Sequence, residues 1–326
     1  PGALACEPPA EEPRSEEVSF ASTFPERGLT ELSATLWLPA GDGPHPAVVF
    51  VGGSGPNPRD PEMRGGLIVH HPPFQLYGAL ARWLAEQGFA TLLYDKRTCR
   101  TCYPETSPDY AAFRFGWLED DARDAIAYLR RRADVQPEDI VLMGHSQGGG
   151  IVARLAREES VSACVMLAGS TNAFADGIAA QIRRLAELRL AQLDPLQAIA
   201  LQIRAASFED CLAEAAKEPD VVQACLYGTT HRAFDEEATR ARTTAAAIAS
   251  LEIPFLAVVG QLDQNIDPQV ILDLRDALGP RDAEVHVLEG LGHTLVHRDR
   301  VDAPTLEPAL TKVLGDFLRS VPSRAP

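Results

Sequence analysis

The chain of 326 residues is 45% hydrophobic and carries a formal net charge of −16 at neutral pH. That length permits a large buried core in one big domain or two small ones. So acidic a chain lacks the basic face that phosphate neutralisation demands, so no nucleic-acid partner is expected.

No run approaches the ~18 consecutive apolar residues of a spanning helix, so no membrane span is expected. Lys96, Lys217 and Lys312 are the only lysines, a bias read as compositional, without functional content. The chain begins at Pro1 rather than Met, and the expectation is that upstream residues have been removed. Residues 1–17 are rich in Pro, Glu and Ala, show no apolar period, and read as a disordered leader. Ala3-Leu4-Ala5-Cys6, followed by Glu7-Pro8-Pro9, resembles the end of a bacterial lipoprotein signal with Cys6 as the residue that takes the lipid. A trimmed tail with an incidental cysteine fits equally well. On the first reading the protein is exported to the periplasm or cell envelope; the alternative is cytoplasmic.

After the leader, residues 18–23 and 30–38 read as strands, the second alternating through Leu32, Ala34, Leu36 and Leu38. Asp42-Gly43-Pro44 marks a turn. Short apolar runs at 47–51, 90–94, 140–143, 161–167, 255–259 and 285–288 then alternate with helical patterns at 74–86, 118–132, 149–158, 268–278 and 306–318. Continuous apolar strands between amphipathic helices predict a mostly parallel α/β sheet covered on both faces, with the first two strands as an antiparallel edge. The alternation breaks once. Residues 170–251 are helix-rich, with an Ala/Leu/Arg pattern over 178–206 and further turns over 239–250, and predict a helical cap inserted between two core strands. The expected domains are therefore a core of 18–169 and 252–321 around a cap of 170–251, the cap setting substrate choice.

Six cysteines fit an exported protein without proving it. With Cys6 in the leader and Cys164 inside an apolar strand, two candidate pairs remain, Cys99 with Cys102 and Cys211 with Cys225. Cys99-x-x-Cys102 is followed by Pro104 and Pro108 rather than by the helix start a redox motif needs. A zinc site would need a second ligand pair, which is absent, so neither metal nor cofactor is expected.

The chemistry concentrates in three glycine-marked loops. Gly144-His145-Ser146-Gln147-Gly148-Gly149 lies between a predicted strand and a predicted helix. Glycines at such a turn let the chain double back and lift a serine hydroxyl clear of the sheet, while the helix N-terminus offers free N–H groups to a developing oxyanion. Serine needs a base, and the base needs an orienting acid. Asp263 follows the strand at 255–259 in Gly260-Gln261-Leu262-Asp263, and His293 follows the strand at 285–288 in Gly290-Leu291-Gly292-His293. Both thus leave the carboxyl edge of the sheet, where α/β proteins build their sites. The rival acid, Asp267, is assigned instead to the cap of the helix opened by Pro268. His145 is expected to pack into the elbow, His297 to share a helical turn with His293, and His70 and His71 to lie in a loop near the site mouth. The oxyanion donors are expected to be the backbone N–H of Gln147 and one from Gly52-Gly53-Ser54-Gly55, with Ser54 preferred over Gly53. No phosphate-binding glycine pattern follows that strand.

Together, Gly52-Gly53-Ser54-Gly55, Tyr94-Asp95-Lys96-Arg97, Gly144-His145-Ser146-Gln147-Gly148, Gly260-Gln261-Leu262-Asp263 and Gly290-Leu291-Gly292-His293 resemble the α/β-hydrolase superfamily over about 18–321. The stretch from Gly53 to Asp60 is similar to bacterial hydrolases of the dienelactone-hydrolase and prolyl-oligopeptidase-like branches. Two positions depart from that pattern: Gly52-Gly53 stands where His-Gly is common, and Thr98-Cys99-Arg100 follows Arg97 where a glycine is usual. Asp95 and Arg97 read as structural. The resemblance implies a serine hydrolase, most simply one cleaving small carboxylic esters through an acyl-enzyme on Ser146. Thioester and peptide or amide substrates use the same machinery. A non-catalytic ligand-binding member of the fold would be expected to have lost one of Ser146, Asp263 and His293. Oligomeric state is left open by the sequence.

Overall fold

The computed structural model describes residues 12–324, apart from 27–28, 65–68, 70, 107–111, 192–193, 279–282, 299, 301 and 303. Cys6 and His70 lie outside the described residues. In chain order the elements are β1 (Arg14–Glu26), β2 (Leu29–Leu38), β3 (His45–Val51), α1 (Leu76–Glu86), β4 (Ala90–Tyr94), α2 (Gly116–Arg130), β5 (Val135–His145), α3 (Gln147–Glu158) and β6 (Ala163–Leu167). An inserted segment follows, with α4 (Phe174–Ala191), α5 (Pro195–Ala215), the short pair β7 (Val222–Gln223) and β8 (Thr229–Thr230), α6 (His231–Ala241) and α7 (Thr244–Ala249). The chain then returns through β9 (Phe255–Gly260), α8 (Pro268–Leu278), β10 (Ala283–Leu288) and α9 (Pro308–Ser320).

Eight strands form one sheet in the order β1-β2-β4-β3-β5-β6-β9-β10. β1 and β2 pair antiparallel, β2 joins β4 antiparallel, and every later pair is parallel. The central strands β4, β6 and β9 are buried along their whole length, as expected of parallel strands covered on both faces. Alternate residues serve opposite layers. Val49 and Val51 pack with α2, α3 and α8, whereas Val48 and Phe50 pack with α1 and α9. Burying a side chain such as Phe50 or Phe317 stabilises the fold by about 2 kcal/mol.

The expected leader over 1–17 is corrected at its end, because Arg14–Glu17 belong to β1. They pair with Thr35–Leu38 across the antiparallel ladder, and Glu16 and Glu17 are held by Arg132 and Arg59. Ladder hydrogen bonds and ion pairs recruit a stretch whose polar composition alone gives no strand signal.

The insertion expected over 170–251 is present and helical. Its pattern over 178–206 is divided between two helices, and Asp194-Pro195 opens the second with the Asp194 carboxylate accepting from Gln197 N–H. Ile178, Ile182, Phe208, Leu226 and Phe234 form a small core of the insertion's own. α7 differs, since Ile248 joins the sheet's core cluster and Thr244 bonds Arg154 of α3. The insertion's separate packing therefore ends with α6. Disulfides join Cys99 to Cys102 and Cys211 to Cys225, and Cys164 is a buried thiol. Among the described residues no helix is long and apolar enough to cross a membrane.

Candidate active site

Ser146 sits between β5 and α3 with φ 56° and ψ −121°. For a non-glycine residue that conformation stores strain of about 1–3 kcal/mol and persists only where the surroundings enforce it. Here Ser146 N–H is tied to Leu167 C=O at 2.9 Å, and Ser146 C=O accepts from Gly149 N–H at 3.0 Å. A Cβ at Gly148 would lie 2.1 Å from Val51 O, so only glycine lets the turn approach β3 this closely.

The predicted partners arrive from the carboxyl ends of β9 and β10. Ser146 Oγ lies 3.2 Å from His293 Nε2, and His293 Nδ1 lies 2.9 Å from Asp263 Oδ2. Asp263 is fully buried, and its Oδ1 also accepts from the amides of Asn265 and Ile266 at 2.8 and 2.9 Å. Those two N–H groups replace water around the carboxylate and fix the oxygen that faces the imidazole. Arg184 of α4 donates to Asp263 C=O at 3.2 Å and pairs with Asp267. Asp267 accepts from Gln269 N–H at the start of α8, the capping role expected of it.

The loop carrying His293 folds back on itself. Gly292 N–H bonds Val296 C=O, and Arg298 N–H bonds Gly290 C=O, with Leu291 and His297 in an antiparallel bridge. His297 is thus in a hairpin-like closure rather than in a helical turn with His293. His71 lies beside this loop, its Nε2 accepting from Thr294 Oγ1 at 2.7 Å, and it borders neither cavity at the serine.

His145 packs into the elbow as expected and adds a link that the sequence left unseen. Gly53 N–H donates to Tyr77 Oη at 2.9 Å, Tyr77 O–H donates to His145 Nδ1 at 2.9 Å, and His145 Nε2–H donates to His293 C=O at 2.9 Å. The direction is forced, because an amide only donates and a carbonyl only accepts. Burial first, and the neighbouring His293 second, hold the His145 imidazolium down to about 3, so the ring is neutral in this chain of donors. One relay thereby ties the glycine loop, the elbow and the histidine loop together.

Of the two expected oxyanion donors, Gln147 is the first residue of α3, so its N–H has no intrahelical acceptor. In the glycine loop the Gly53 N–H is taken by Tyr77, which removes the second-choice donor. Lys96 was not anticipated. Its Nζ donates to Gly53 C=O at 2.8 Å and to Gln147 Oε1 at 3.1 Å. Its neighbours are structural, Asp95 binding Arg59 and Arg97 binding Asp121.

Two cavities share Ser54, Gln147, Phe174, Ile178 and Gln181. The smaller, of about 140 Å³, holds Ser146 and His293 and is bordered by Arg154, Asn172, Glu237 and Asn265. The larger, of about 270 Å³, has walls from Phe113, Phe115, Leu118, Leu226 and Phe234, so the insertion forms one side and the core the other. Among the described residues no group of three or more His, Cys, Asp or Glu side chains is placed to hold a metal ion.

Residues 70–300 match the model of the Hydrolase_4 family, described as serine aminopeptidase, S33. The chain is 26% identical over 285 residues to esterase EstD of Thermotoga maritima, covering 86% of this chain and 63% of that protein, so it spans less than two thirds of the relative's length. Among solved structures, the esterase domain of a Rhodothermus marinus protein has a TM-score of 0.55 at 17% identity, over 94% of this chain and 98% of the other. A dienelactone hydrolase from Anabaena variabilis has a TM-score of 0.54 at 17% identity, over 96% and 100%. At such identities these two structures speak to the fold alone. The chain belongs to the Hydrolase_4 family and has the α/β-hydrolase fold.

Proposed function

We propose that the protein is a carboxylic-ester hydrolase that works through an acyl-enzyme on Ser146, with Asp263 and His293 completing a catalytic triad. The observation that carries this reading is the continuous line of hydrogen bonds from Ser146 Oγ through His293 to the buried Asp263. Ser146 Oγ bonds to the acyl carbon as its proton passes to His293 Nε2, and the carbonyl π electrons move onto oxygen. Asp263 holds the tautomer that leaves Nε2 free to accept and stabilises the imidazolium. The amides of Gln147 and Ser54 receive the oxyanion. Collapse expels the alcohol, which takes the proton from Nε2; water then repeats the sequence and releases the acid.

The relative named as an esterase supports ester over other acyl substrates. The aromatic chamber supports an ester with a bulky apolar group on one side, lodged against the inserted helices as a cap. The family's description as serine aminopeptidase favours a second reading, an aminoacyl amide cleaved by the same residues.

A fluorophosphonate probe with wild type and Ser146→Ala tests the mechanism, alongside a panel of p-nitrophenyl esters, thioesters and aminoacyl anilides. Wild type is expected to label at Ser146 and to prefer esters, and Ser146→Ala to lose about 10⁶-fold in kcat. Equal turnover by both proteins would overturn the serine mechanism; preference for the anilides would replace the ester reading by the amide one.

A further inference from the structure

Lys96 is 7% exposed, and among the described residues no carboxylate lies within ion-pair distance of its ammonium. The closest acidic influence is Asp121 of α2, already engaged by Arg97. A buried ammonium without a counter-ion is costly, so what it touches matters.

Gly53 C=O, which accepts from Nζ at 2.8 Å, belongs to the same planar trans peptide as Ser54 N–H. The two groups point in opposite directions across that plane, so holding the oxygen aims the hydrogen. Gly53 N–H is meanwhile fixed by Tyr77 Oη, so the residue is held at both its amides. The second contact, with Gln147 Oε1 at 3.1 Å, grips the side chain of the residue whose own N–H is the other oxyanion donor. A positive charge on the carbonyl side also polarises the Gly53–Ser54 peptide and strengthens its N–H as a donor.

We propose that Lys96 is a positioning residue of the oxyanion site, aiming and polarising the Ser54 amide through Gly53 C=O while bracing Gln147. The inference rests on the ester-hydrolase reading above. The ammonium acts through these amides and touches no reacting atom. Its contribution grows as negative charge forms on the substrate oxygen, so it favours the tetrahedral state over the bound ester.

The test measures kcat, KM and the inhibition constant of a trifluoromethyl ketone for wild type, Lys96→Met, Lys96→Gln and the control Ser146→Ala, each checked for folding by its melting curve. Lys96→Met keeps the side-chain volume but no donor; kcat should fall about 10- to 100-fold with KM within about threefold. The ketone, which forms a tetrahedral adduct, should weaken by the same factor as kcat/KM. Lys96→Gln keeps a neutral N–H donor and should fall between Lys96→Met and wild type, and it carries the test if the methionine variant does not fold. A folded Lys96→Met with kcat within threefold of wild type, a rise in KM alone, or unchanged ketone affinity would each overturn the proposal. If Ser146→Ala retains activity, the ester-hydrolase reading itself fails; if that control is inactive and Lys96→Met is fully active, only the role of Lys96 fails.

Discussion

The shelf of loops at the carboxyl ends of the strands and the helical insertion above it are built on different principles. On the shelf, backbone groups do most of the holding: Ser146 is fixed through Leu167 C=O, Asp263 through the amides of Asn265 and Ile266, and His293 through a loop closed by its own main chain. The insertion is joined to the core by side chains, with Arg240 reaching Glu119, Arg184 reaching Asp267 and Gln181 reaching Asn265. Its outer face leaves Leu196 81% and Ile203 62% exposed. Main-chain hydrogen bonds do not depend on which side chain a residue carries, whereas side-chain anchoring can change with sequence. On the proposed function, the reaction rests on the first kind of support and substrate contact largely on the second.

After loss of Ser146 itself, the largest expected effect tests the rigid side of that contrast. Asp263→Ala should reduce kcat by about 10⁴-fold, since the imidazole loses the partner that sets its tautomer. Steady-state kinetics on a short ester would measure it, and a loss under tenfold would mean that the buried carboxylate is structural only.

Next comes the insertion. Phe174 borders both cavities and is half-buried. Phe174→Ala should lower kcat/KM for esters with bulky aromatic groups by about 10-fold, roughly one methylene's worth of contact, and leave acetate esters within about threefold. Equal loss on both would place Phe174 with the catalytic shelf and blur the division.

The smallest expected effect concerns the shelf's own stability. Burial lowers the Lys96 ammonium from 10.5 to about 8, against a weaker opposing pull from Asp121. The charged groups around it are Asp121 and its partner Arg97, and the phenol of Tyr94, which burial pushes up, stays neutral. Between these two values the unfolded chain binds more protons than the folded one, so this group makes stability rise with pH above about 8. Denaturant unfolding at pH 8 and 9.5 should show a gain of about 1–2 kcal/mol in wild type relative to Lys96→Met. Because the ammonium is lost over the same range, kcat should decline while stability climbs. Parallel curves for the two proteins would show that the charge is not buried in solution.

The residues legible in the sequence were those whose role leaves a local mark. Ser146, Asp263 and His293 each follow an apolar strand in a glycine-bearing loop, and the structure brings all three together. Tyr77 and Lys96 carry no such mark. Tyr77 sits within an ordinary amphipathic helix, and its partners Gly53 and His145 are distant in the chain. Lys96 lies between two residues with structural ion pairs, and the scarcity of lysine reads as compositional. A lysine two residues past an apolar strand, in a chain with only three lysines, is the available signal. The break between α4 and α5 was legible too: Asp194-Pro195 is the same capping pair that was recognised at Asp267-Pro268. The start of β1 at Arg14 was not, because a polar edge strand is defined by its neighbour's ladder rather than by its own composition.

The donor chain from Gly53 through Tyr77 and His145 to the main chain of His293 also sets the terms on which the molecule can be remodelled. Three loops far apart in the chain share one mechanical frame, so none can be lengthened or transplanted without disturbing the other two. The insertion is outside that relay, its ties to the core being side-chain ion pairs and hydrogen bonds such as Arg240 to Glu119 and Gln181 to Asn265. The insertion is therefore the more exchangeable part, and the three loops beneath it behave as a single part.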